Sequence, residues 1–451
     1  MSKPTSQTTD TIAAIATATG LAGIGVVRIS GPAVPNMLVP LLGSPLQPRL
    51  ATHKDFLAED GSTLDTGLAI YFIEPASFTG EHVLELQGHG GIVVLQTLLR
   101  RCLALGARLA QPGEFTRRAL LNGKLDLAQA ESIVDLIHAQ SSIAAKNAMR
   151  SLKGDFSYQI NQLVADITTL RAMIEATFDF SDEDIDLLSV EHIHRDIKTL
   201  QAQLAILQSH SKQGALLRDG AHIVLIGAPN VGKSSLMNAL AAEDVAIVDE
   251  EAGTTRDTLR EMIFINGIPL HIVDTAGLRM TSNRLEKIGI ARTWSMIHQA
   301  DLALIIVDRR YGLTQDTKKL LKHLPANLPY LTVCNKIDLT NEEPSVKQKE
   351  TECTILLSAK AHLGIDLLRD HILHYIGWQG NTEGLFLARE RHLEALNEAA
   401  QYVNEAEQLD QQLELIAEAL RLAQQALNRI TKEISNENLL DEIFSKFCIG
   451  K

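Results

Sequence analysis

Cysteine is scarce in this chain. Four occur in 451 residues (Cys102, Cys334, Cys353 and Cys448), and none is set at CxxC spacing. This argues against a disulfide framework or zinc knuckle and for isolated thiols in a reducing cytoplasm. Long apolar runs are also missing. None approaches the roughly 18 residues a membrane-spanning helix needs, so a soluble chain is expected. The stretch Thr11 to Gly25 is small and apolar, but it carries threonines and glycines and has only Lys3 as a basic flank before Asp10. It does not read as a signal peptide. Basic charge is in deficit, with 42 Lys and Arg against 55 Asp and Glu and a formal net charge of -13. Nonspecific nucleic-acid affinity rests on cations that release counterions, so an RNA partner must use local patches or a second protein. What remains is ordinary globular composition, 45% hydrophobic and 22% charged, in a chain long enough for two to four cores at about 150 residues each.

Periodicity divides the chain into four stretches. To about residue 120, short apolar runs (Gly25-Val-Val-Arg-Ile, Gly67 to Ile73, His82-Val-Leu-Glu-Leu) and one helical stretch, Ile92 to Leu105, alternate with Pro and Gly, which reads as α+β. Residues 121–217 have little Gly or Pro, and apolar residues recur at three- and four-residue steps (Ile133, Leu136, Ile137; Leu163, Ile167, Leu170, Ile174), the period of helices. Residues 218–378 alternate apolar runs (His222 to Ile226, Leu270 to Val273, Leu302 to Val307, Tyr330 to Val333, Thr354 to Leu357) with helical patterns, calling for a mostly parallel α/β sheet. From 379 to 451 the pattern returns to helix. One helical domain made from both flanks, with the α/β domain inserted, accounts for this order; two separate bundles also would.

The third stretch carries the chemistry. Gly227-Ala-Pro-Asn-Val-Gly-Lys-Ser234 fits G-x-x-x-x-G-K-[ST] and lies between a strand run and a helical pattern, the context a P-loop requires. Its glycines let backbone N–H groups wrap phosphates, Lys233 reaches the β- and γ-phosphates, and Ser234 ligates Mg2+. Asp274-Thr-Ala-Gly277 follows a strand, where an open α/β sheet binds ligands. Asn335-Lys-Ile-Asp338 follows another. A carboxylate such as Asp338 accepts from guanine N1–H and the 2-amino group, which adenine lacks, and so selects GTP over ATP. Ser358-Ala-Lys360 offers a backbone N–H to guanine O6.

Ras-like GTPases place a glutamine after the DxxG element to orient water and use an arginine finger. Here that position is Leu278. Either hydrolysis is negligible or other residues supply the function. Gly253-Thr-Thr-Arg-Asp257 is a switch-like loop whose Thr255 can complete the Mg2+ shell. Asn230, with backbone carbonyls of residues 249–254, can hold a monovalent cation where an arginine would lie. Glu286 can act on water directly or through a second water, although its residue type alone reads as a solvated helix position.

These residues, with Glu286 followed by Ile288-Gly-Ile and the terminal Phe447-Cys-Ile-Gly-Lys451, resemble the MnmE (TrmE) family of tRNA modification GTPases. Val27-Arg-Ile-Ser-Gly-Pro32, Ser77-Phe-Thr-Gly-Glu81, Glu85-Leu-Gln-Gly-His-Gly-Gly91, Pro112-Gly-Glu-Phe-Thr116 and Leu121 to Glu131 extend the resemblance over the whole chain. It implies an α+β N-terminal domain (1–120) that binds 5-formyl-tetrahydrofolate and dimerises, a discontinuous all-α domain (121–217 and 379–451), and an inserted Ras-like G domain (218–378). It also implies a homodimer, a G domain activated by dimerisation with K+ and GTP, and a partner, MnmG (GidA), that uses FAD and NADH. Together they install carboxymethylaminomethyl or aminomethyl groups at C5 of the wobble uridine of certain tRNAs.

Position by position, the resemblance puts the nucleotide shell on Asn230, Val231, Gly232, Lys233, Ser234 and Ser235, then on Asp249, Glu250, Glu251, Ala252, Gly253, Thr254 and Thr255. It continues through Asp274, Thr275, Ala276 and Gly277 to Asn335, Lys336, Asp338, Ser358, Ala359 and Lys360. K+ falls at Asn230, Asp249, Glu251 and Thr254, Mg2+ at Ser234 and Thr255, and water activation on Glu286. Folate contacts fall on Arg28, Glu85, Lys124 and Lys451. For single Arg, Lys and Glu residues, surface ion pairs are the plainer reading. Cys448 has two readings, a reactive thiol in the modification chemistry or a packing residue beside Phe447 and Ile449. Its C-a-a-X-like frame is discounted because Gly450 and Lys451 suit no prenylation rule. One loop departs from the family: Thr19-Gly-Leu-Ala-Gly-Ile-Gly25 lacks the usual Pro and Gly-Arg-Gly-Gly run, which leaves its folate contacts open. The rival readings are a regulatory GTPase of ribosome assembly, whose other domains only bind RNA, and an inert helical scaffold.

Overall fold

In the computed structural model, residues 10–18, 20–179, 190–241, 260–274, 294–349, 352–380, 384–409, 412–432, 440, 443–445, 447 and 450 are described. The chain divides into two compact units. One is formed by 1–134, 152–161 and 427–451, the other by 135–151 and 162–426.

The first unit holds a six-stranded sheet of β1 (Thr11–Ile15), β2 (Ala22–Ser30), β3 (Thr52–Leu57), β4 (Thr63–Phe72), β5 (Val83–Gly90) and β6 (Ala107–Leu109), in the order β3-β4-β5-β2-β1-β6. Every pairing is antiparallel except β1 with β6. Helices α1 (Val34–Leu42) and α2 (Ile92–Ala104) close a core with Val27, Ile29, Leu84 and Leu86 of the sheet. The α+β class expected from the sequence is present. β1, α1, β3 and β6 were not anticipated, and the causes are local. Pro40 lies inside α1, and β3, Thr-His-Lys-Asp-Phe-Leu, is an edge strand with few apolar residues. Leu127 and Ala130 of the first unit pack with Leu440, Ile443, Phe444 and Phe447, so these four residues belong to this unit's core.

α3 (Glu114–Leu121) precedes the helical stretch, which forms α4 (Leu127–Ile137), α5 (Ser142–Leu152), α6 (Asp155–Asp179) and α7 (Val190–Asp219). The α/β part then follows as β7 (Ala221–Ile226), α8 (Lys233–Ala241), β8 (Arg260–Ile265), β9 (Ile268–Asp274), β10 (Leu302–Asp308), α9 (Gln315–Leu321), β11 (Tyr330–Asn335), β12 (Ser345–Lys349), β13 (Glu352–Leu356) and α10 (Ile365–Tyr375). Its sheet runs β12-β13-β11-β10-β7-β9-β8. The five inner strands are parallel, and β8 and β12 are antiparallel edges. All seven residues of β10 are buried, as a strand covered on both faces requires. The strand order reverses around β7, so the loop after β7 opens at the switch point where such sheets bind ligands.

After the α/β part, α11 (Glu390–Gln408) and α12 (Leu413–Thr431) return to the helical layer. α11 lies along α7, with Gln201 Nε2 donating to Asn404 Oδ1 at 2.8 Å and Gln208 Nε2 to Asn397 Oδ1 at 2.9 Å. The helix entering the α/β part thus pairs with the one leaving it, the arrangement of an inserted domain. Gly214 of α7 has a specific reason to lack a side chain: a Cβ there would meet the Phe386 carbonyl at 1.7 Å. The helix backbone touches the returning chain directly. Among the described residues, no helix is long and apolar enough to cross a membrane.

Candidate functional site

β7 is apolar and ends at Ile226, and α8 begins at Lys233, so residues 227–232 form the connecting loop at the sheet's switch point. Asn230 (φ 63°) and Gly232 (φ 99°) both take positive φ, which Gly adopts freely and Asn more readily than most residues. A Cβ at Gly232 would meet Asn335 Nδ2 at 2.3 Å. Lys233 is buried, and its Nζ donates across the loop to the Gly227 carbonyl at 3.1 Å. Ser234 and Ser235 are exposed in the first turn of α8, whose N–H groups and dipole favour anions.

Asn335 ends β11 and is 2% exposed. Its Nδ2 donates to the Val231 carbonyl at 2.9 Å, while its Oδ1 accepts from Lys336 N–H at 2.8 Å and Ala359 N–H at 3.0 Å. One side chain therefore joins the phosphate loop, the Asn335-Lys-Ile-Asp338 loop and the Ser358-Ala-Lys360 loop. Ser358, fully buried, donates to Asp338 Oδ1 at 2.6 Å and accepts from Ala361 N–H at 3.2 Å. That bond fixes the rotation of the Asp338 carboxylate. Lys360 is exposed. The site so built brings together Asn230, Val231, Gly232, Lys233, Ser234, Ser235, Asn335, Lys336, Asp338, Ser358, Ala359 and Lys360. Asp274 ends β9 in register with Leu225 of β7. The expectations for Asp249, Glu250, Glu251, Ala252, Gly253, Thr254, Thr255, Thr275, Ala276, Gly277, Leu278 and Glu286 lie outside the described residues, as do those for Cys448 and Lys451.

A group that motif reading did not find braces the same loops. Asp308, at the carboxyl end of β10, receives Lys336 Nζ at 2.9 Å and the Arg310 guanidinium at 3.0 and 2.8 Å. The Arg310 hydrogen bond and then Lys336, against the opposing cost of burial, hold its carboxyl well below the ordinary range. Its position directly after the run Leu302 to Val307, at a strand's ligand-binding end, was the available signal.

The first unit contains a second polar cluster. Arg28 on β2 and Glu85 on β5 are register partners. Arg28 Nε donates to Glu85 Oε1 at 2.9 Å, and Arg28 Nη1 donates to the Gly450 carbonyl at 3.3 Å. The guanidinium lies 5.9 Å from the Phe78 ring centroid and 5.8 Å from that of Phe115. Gly450 has φ 98°, and a Cβ there would meet the Ile15 carbonyl at 2.5 Å. Gly450 is thereby seated on β1 and brought to Arg28. Lys124 is exposed, and its Cε would lie 3.2 Å from a Cβ on Gly80, placing it beside the loop of Phe78.

Behind this cluster, Ser30 Oγ lies 2.7 Å from Thr79 Oγ1 and donates to Glu81 Oε2 at 2.7 Å. Arg118, 2% exposed, donates to Glu81, Glu114 and Asp10. The family-like segments Ser77 to Glu81 and Pro112 to Thr116 thus meet in one buried ionic network, which no linear motif disclosed. Burial opposes ionisation of Glu114, but hydrogen bonds from Arg108, Gln111 N–H and Arg118 outweigh it and lower its pKa.

Among the described residues, no cluster of three or more His, Cys, Asp or Glu side chains could hold a metal ion. A hydroxyl beside phosphate oxygens is a different kind of site, and Ser234 at the start of α8 fits Mg2+ in that way. The α/β domain has the P-loop GTPase fold, which implies GTP and Mg2+ binding.

The MnmE helical domain model matches residues 127–448, and the model of the GTP-binding protein TrmE N-terminus matches residues 11–124. The tRNA modification GTPase MnmE of Chromobacterium violaceum is 52% identical over 451 residues, covering 99% of each chain. The protein of the same name from Thiobacillus denitrificans is 53% identical over 451 residues, covering 100% of each. By these matches, and by the nucleotide site between its helical flanks, the chain belongs to the MnmE (TrmE) family of GTPases.

Proposed function

We propose that this protein is a tRNA modification enzyme: a K+-dependent GTPase, activated by dimerisation, that acts with MnmG on C5 of the wobble uridine of certain tRNAs. The carrying observation is end-to-end similarity above half identity to proteins named for tRNA modification, with both flanking domains included. The product is a carboxymethylaminomethyl- or aminomethyl-uridine, the one-carbon donor is 5-formyl-tetrahydrofolate or a related tetrahydrofolate, and FAD and NADH belong to MnmG. The work is cytoplasmic.

The division of labour follows the chain. Residues 1–120 bind folate and dimerise, residues 121–217 with 379–451 form the helical domain, and residues 218–378 bind and hydrolyse GTP. Exposed Leu21, Ile24, Ile92 and Val93 support dimerisation of the first part. The pairing of Ala22 with Gly90 brings the two chain segments that carry them together, and Leu21 is 95% exposed, apolar surface that a second copy would cover. For the donor site, the pairing of Arg28 with Glu85 and the arrival of Gly450 at Arg28 support a site with cations for folate carboxylates and an acceptor for an amino-pteridine edge. Lys124 and Lys451 complete the cation set, and Cys448 would bring a thiol to it.

For hydrolysis, Ser234 and Thr255 hold Mg2+, and Asp338 reads the base. A bound K+ supplies fixed positive charge at the phosphates in place of an arginine finger. Asn230, with the backbone carbonyls of Asp249 and Glu251 and with Thr254, holds it there. Glu286 orients the attacking water, a role Leu278 cannot fill. Replacing Na+ with K+ is expected to raise GTP turnover strongly, and equal rates in the two salts would sink the cation reading. Glu286→Ala is expected to suppress turnover while GTP still binds; a normal rate removes Glu286 from the mechanism. If a deletion strain kept its wobble uridines unchanged, the ribosome-assembly reading would take over.

A further inference from the structure

We propose that Asp308 is a positioning residue for the guanine nucleotide, holding Lys336 across the boundary between the phosphate loop and the base loop before nucleotide arrives. This rests on GTP binding by the α/β domain and is independent of the tRNA reading.

Lys336 takes φ 70° and ψ 38°, an uncommon conformation for a long side chain, directly after Asn335. Its Nζ makes two contacts. It donates to the Asn230 carbonyl in the phosphate loop at 2.6 Å and to Asp308 Oδ2 at 2.9 Å. Asn230 is itself at φ 63°, so the carbonyl that receives Lys336 belongs to the loop's one non-glycine residue at positive φ. The Lys336 ammonium therefore clips the two halves of the nucleotide site together, and the Asp308 carboxylate holds that ammonium in place.

The carboxylate is firmly held. Asp308 closes the fully buried strand β10, and its side chain is only 8% exposed. Arg310 also donates to it, through Nε and its backbone N–H to Oδ1 and through Nη2 to Oδ2, the oxygen that Lys336 bonds. The intervening Arg309 adds two more grips on the base loop. Its backbone N–H donates to the Asn335 carbonyl at 2.9 Å, and its guanidinium pairs with Glu342 through Nε at 2.7 Å and Nη2 at 2.9 Å. Asp308 and Arg309 thus brace the loop at Lys336, Asn335 and Glu342, and Arg310 holds Asp308.

The physical consequence is preorganisation. A lysine stem loses much rotamer freedom when it is fixed, and a ligand that must do the fixing binds less tightly. Asp308 brings that ordering into the nucleotide-free protein. Because the Arg310 hydrogen bond and the Lys336 contact keep the carboxyl well below the ordinary range, it remains ionised throughout the neutral range.

The test is a double-mutant cycle on the full chain, read by titration with fluorescent GDP and by stopped-flow dissociation. Asp308→Asn is expected to raise the Kd for GDP about tenfold, the loss of one charge-assisted hydrogen bond, mostly through faster release. Lys336→Met keeps the stem but removes the ammonium. In that background Asp308→Asn is expected to add less than about twofold, because its partner is already gone. A Kd within about twofold of the unmutated chain, or an equal Asp308→Asn effect with and without the ammonium, overturns the proposal. The second outcome would mark a general loss of structure. If Asp308→Asn does not fold, Asp308→Glu carries the test: it keeps the charge, displaces the oxygens, and should raise Kd about threefold, with no change counting against the proposal. If the unmutated chain binds no GDP, the nucleotide reading fails first and this inference with it.

Discussion

Replacing Asn335 by alanine should dismantle the nucleotide site while leaving the sheet standing. Asn335 makes three hydrogen bonds, to the Val231 carbonyl and from the Lys336 and Ala359 N–H groups, and those with Val231 and Ala359 are buried. At about 1 kcal/mol net for each bond, with two buried backbone groups left without this partner, the cost is about 3–4 kcal/mol. The cost falls on the mutual placement of three loops. β11 keeps its register with β10 and β13, which is set by backbone pairing and buried Leu331 and Val333. The expected loss is therefore in affinity, about a hundredfold or more in Kd for GDP, with helix and strand signals in circular dichroism unchanged. Asn335→Asp separates the contributions. It keeps an acceptor for Lys336 and Ala359 but sets a carboxylate against the Val231 carbonyl, so it should also bind poorly. The assay is fluorescent GDP titration of each purified full chain. A folded Asn335→Ala variant with a Kd within about threefold of the unmutated chain would refute the claim that this side chain assembles the site.

Arg118→Met should destabilise the first unit by about 3 kcal/mol at pH 7, since it leaves Glu114 and Glu81 without their buried cation. The pKa values of Asp10 and Glu114 are lowered in the folded protein, so their contribution is complete above about pH 4.5 and is lost as the pH falls through the folded values. The gap between variant and unmutated chain in urea should accordingly shrink toward pH 3; a constant gap would contradict the assignment. Asp135 accepts from Arg218 Nε at 3.1 Å and Arg389 Nη2 at 2.8 Å. Asp135→Ala should cost about 2 kcal/mol in urea unfolding, and an unmoved midpoint would show that this link between the entering and leaving chain is unimportant. Burial pushes the Cys102 thiol up to about 12 and also raises that of Cys353, and both side chains are fully enclosed. Iodoacetamide at pH 8 should modify these two only after unfolding; rapid labelling in the native protein would overturn their placement in the cores.

What the sequence revealed and what it hid have a common physical basis. β10 was legible because a strand covered on both faces must be apolar throughout, and Leu302 to Val307 is. The edge strand β12, Ser-Val-Lys-Gln-Lys, was not, since one side of it meets solvent and its composition reads as loop. The P-loop was legible because its chemistry lies within eight consecutive residues, Gly227 to Ser234. Asp308 was hidden because its partner Lys336 lies 28 residues away. The buried cluster around Arg118 joins residues as far apart as 108 positions, and no spacing rule encodes that. Arg28 and Glu85 were singled out through family resemblance, but their pairing across β2 and β5, with Gly450 arriving from the chain's far end, required the fold.

In the proposed function, GTP turnover in the α/β domain drives tRNA modification elsewhere in the chain. The direct measurement is reconstituted modification with purified protein, MnmG, FAD, NADH, a tetrahydrofolate donor and unmodified tRNA, read by mass analysis of the wobble nucleoside. A modified uridine is expected only when GTP and K+ are both supplied. Equal modification without GTP, or none with every component present, would contradict it.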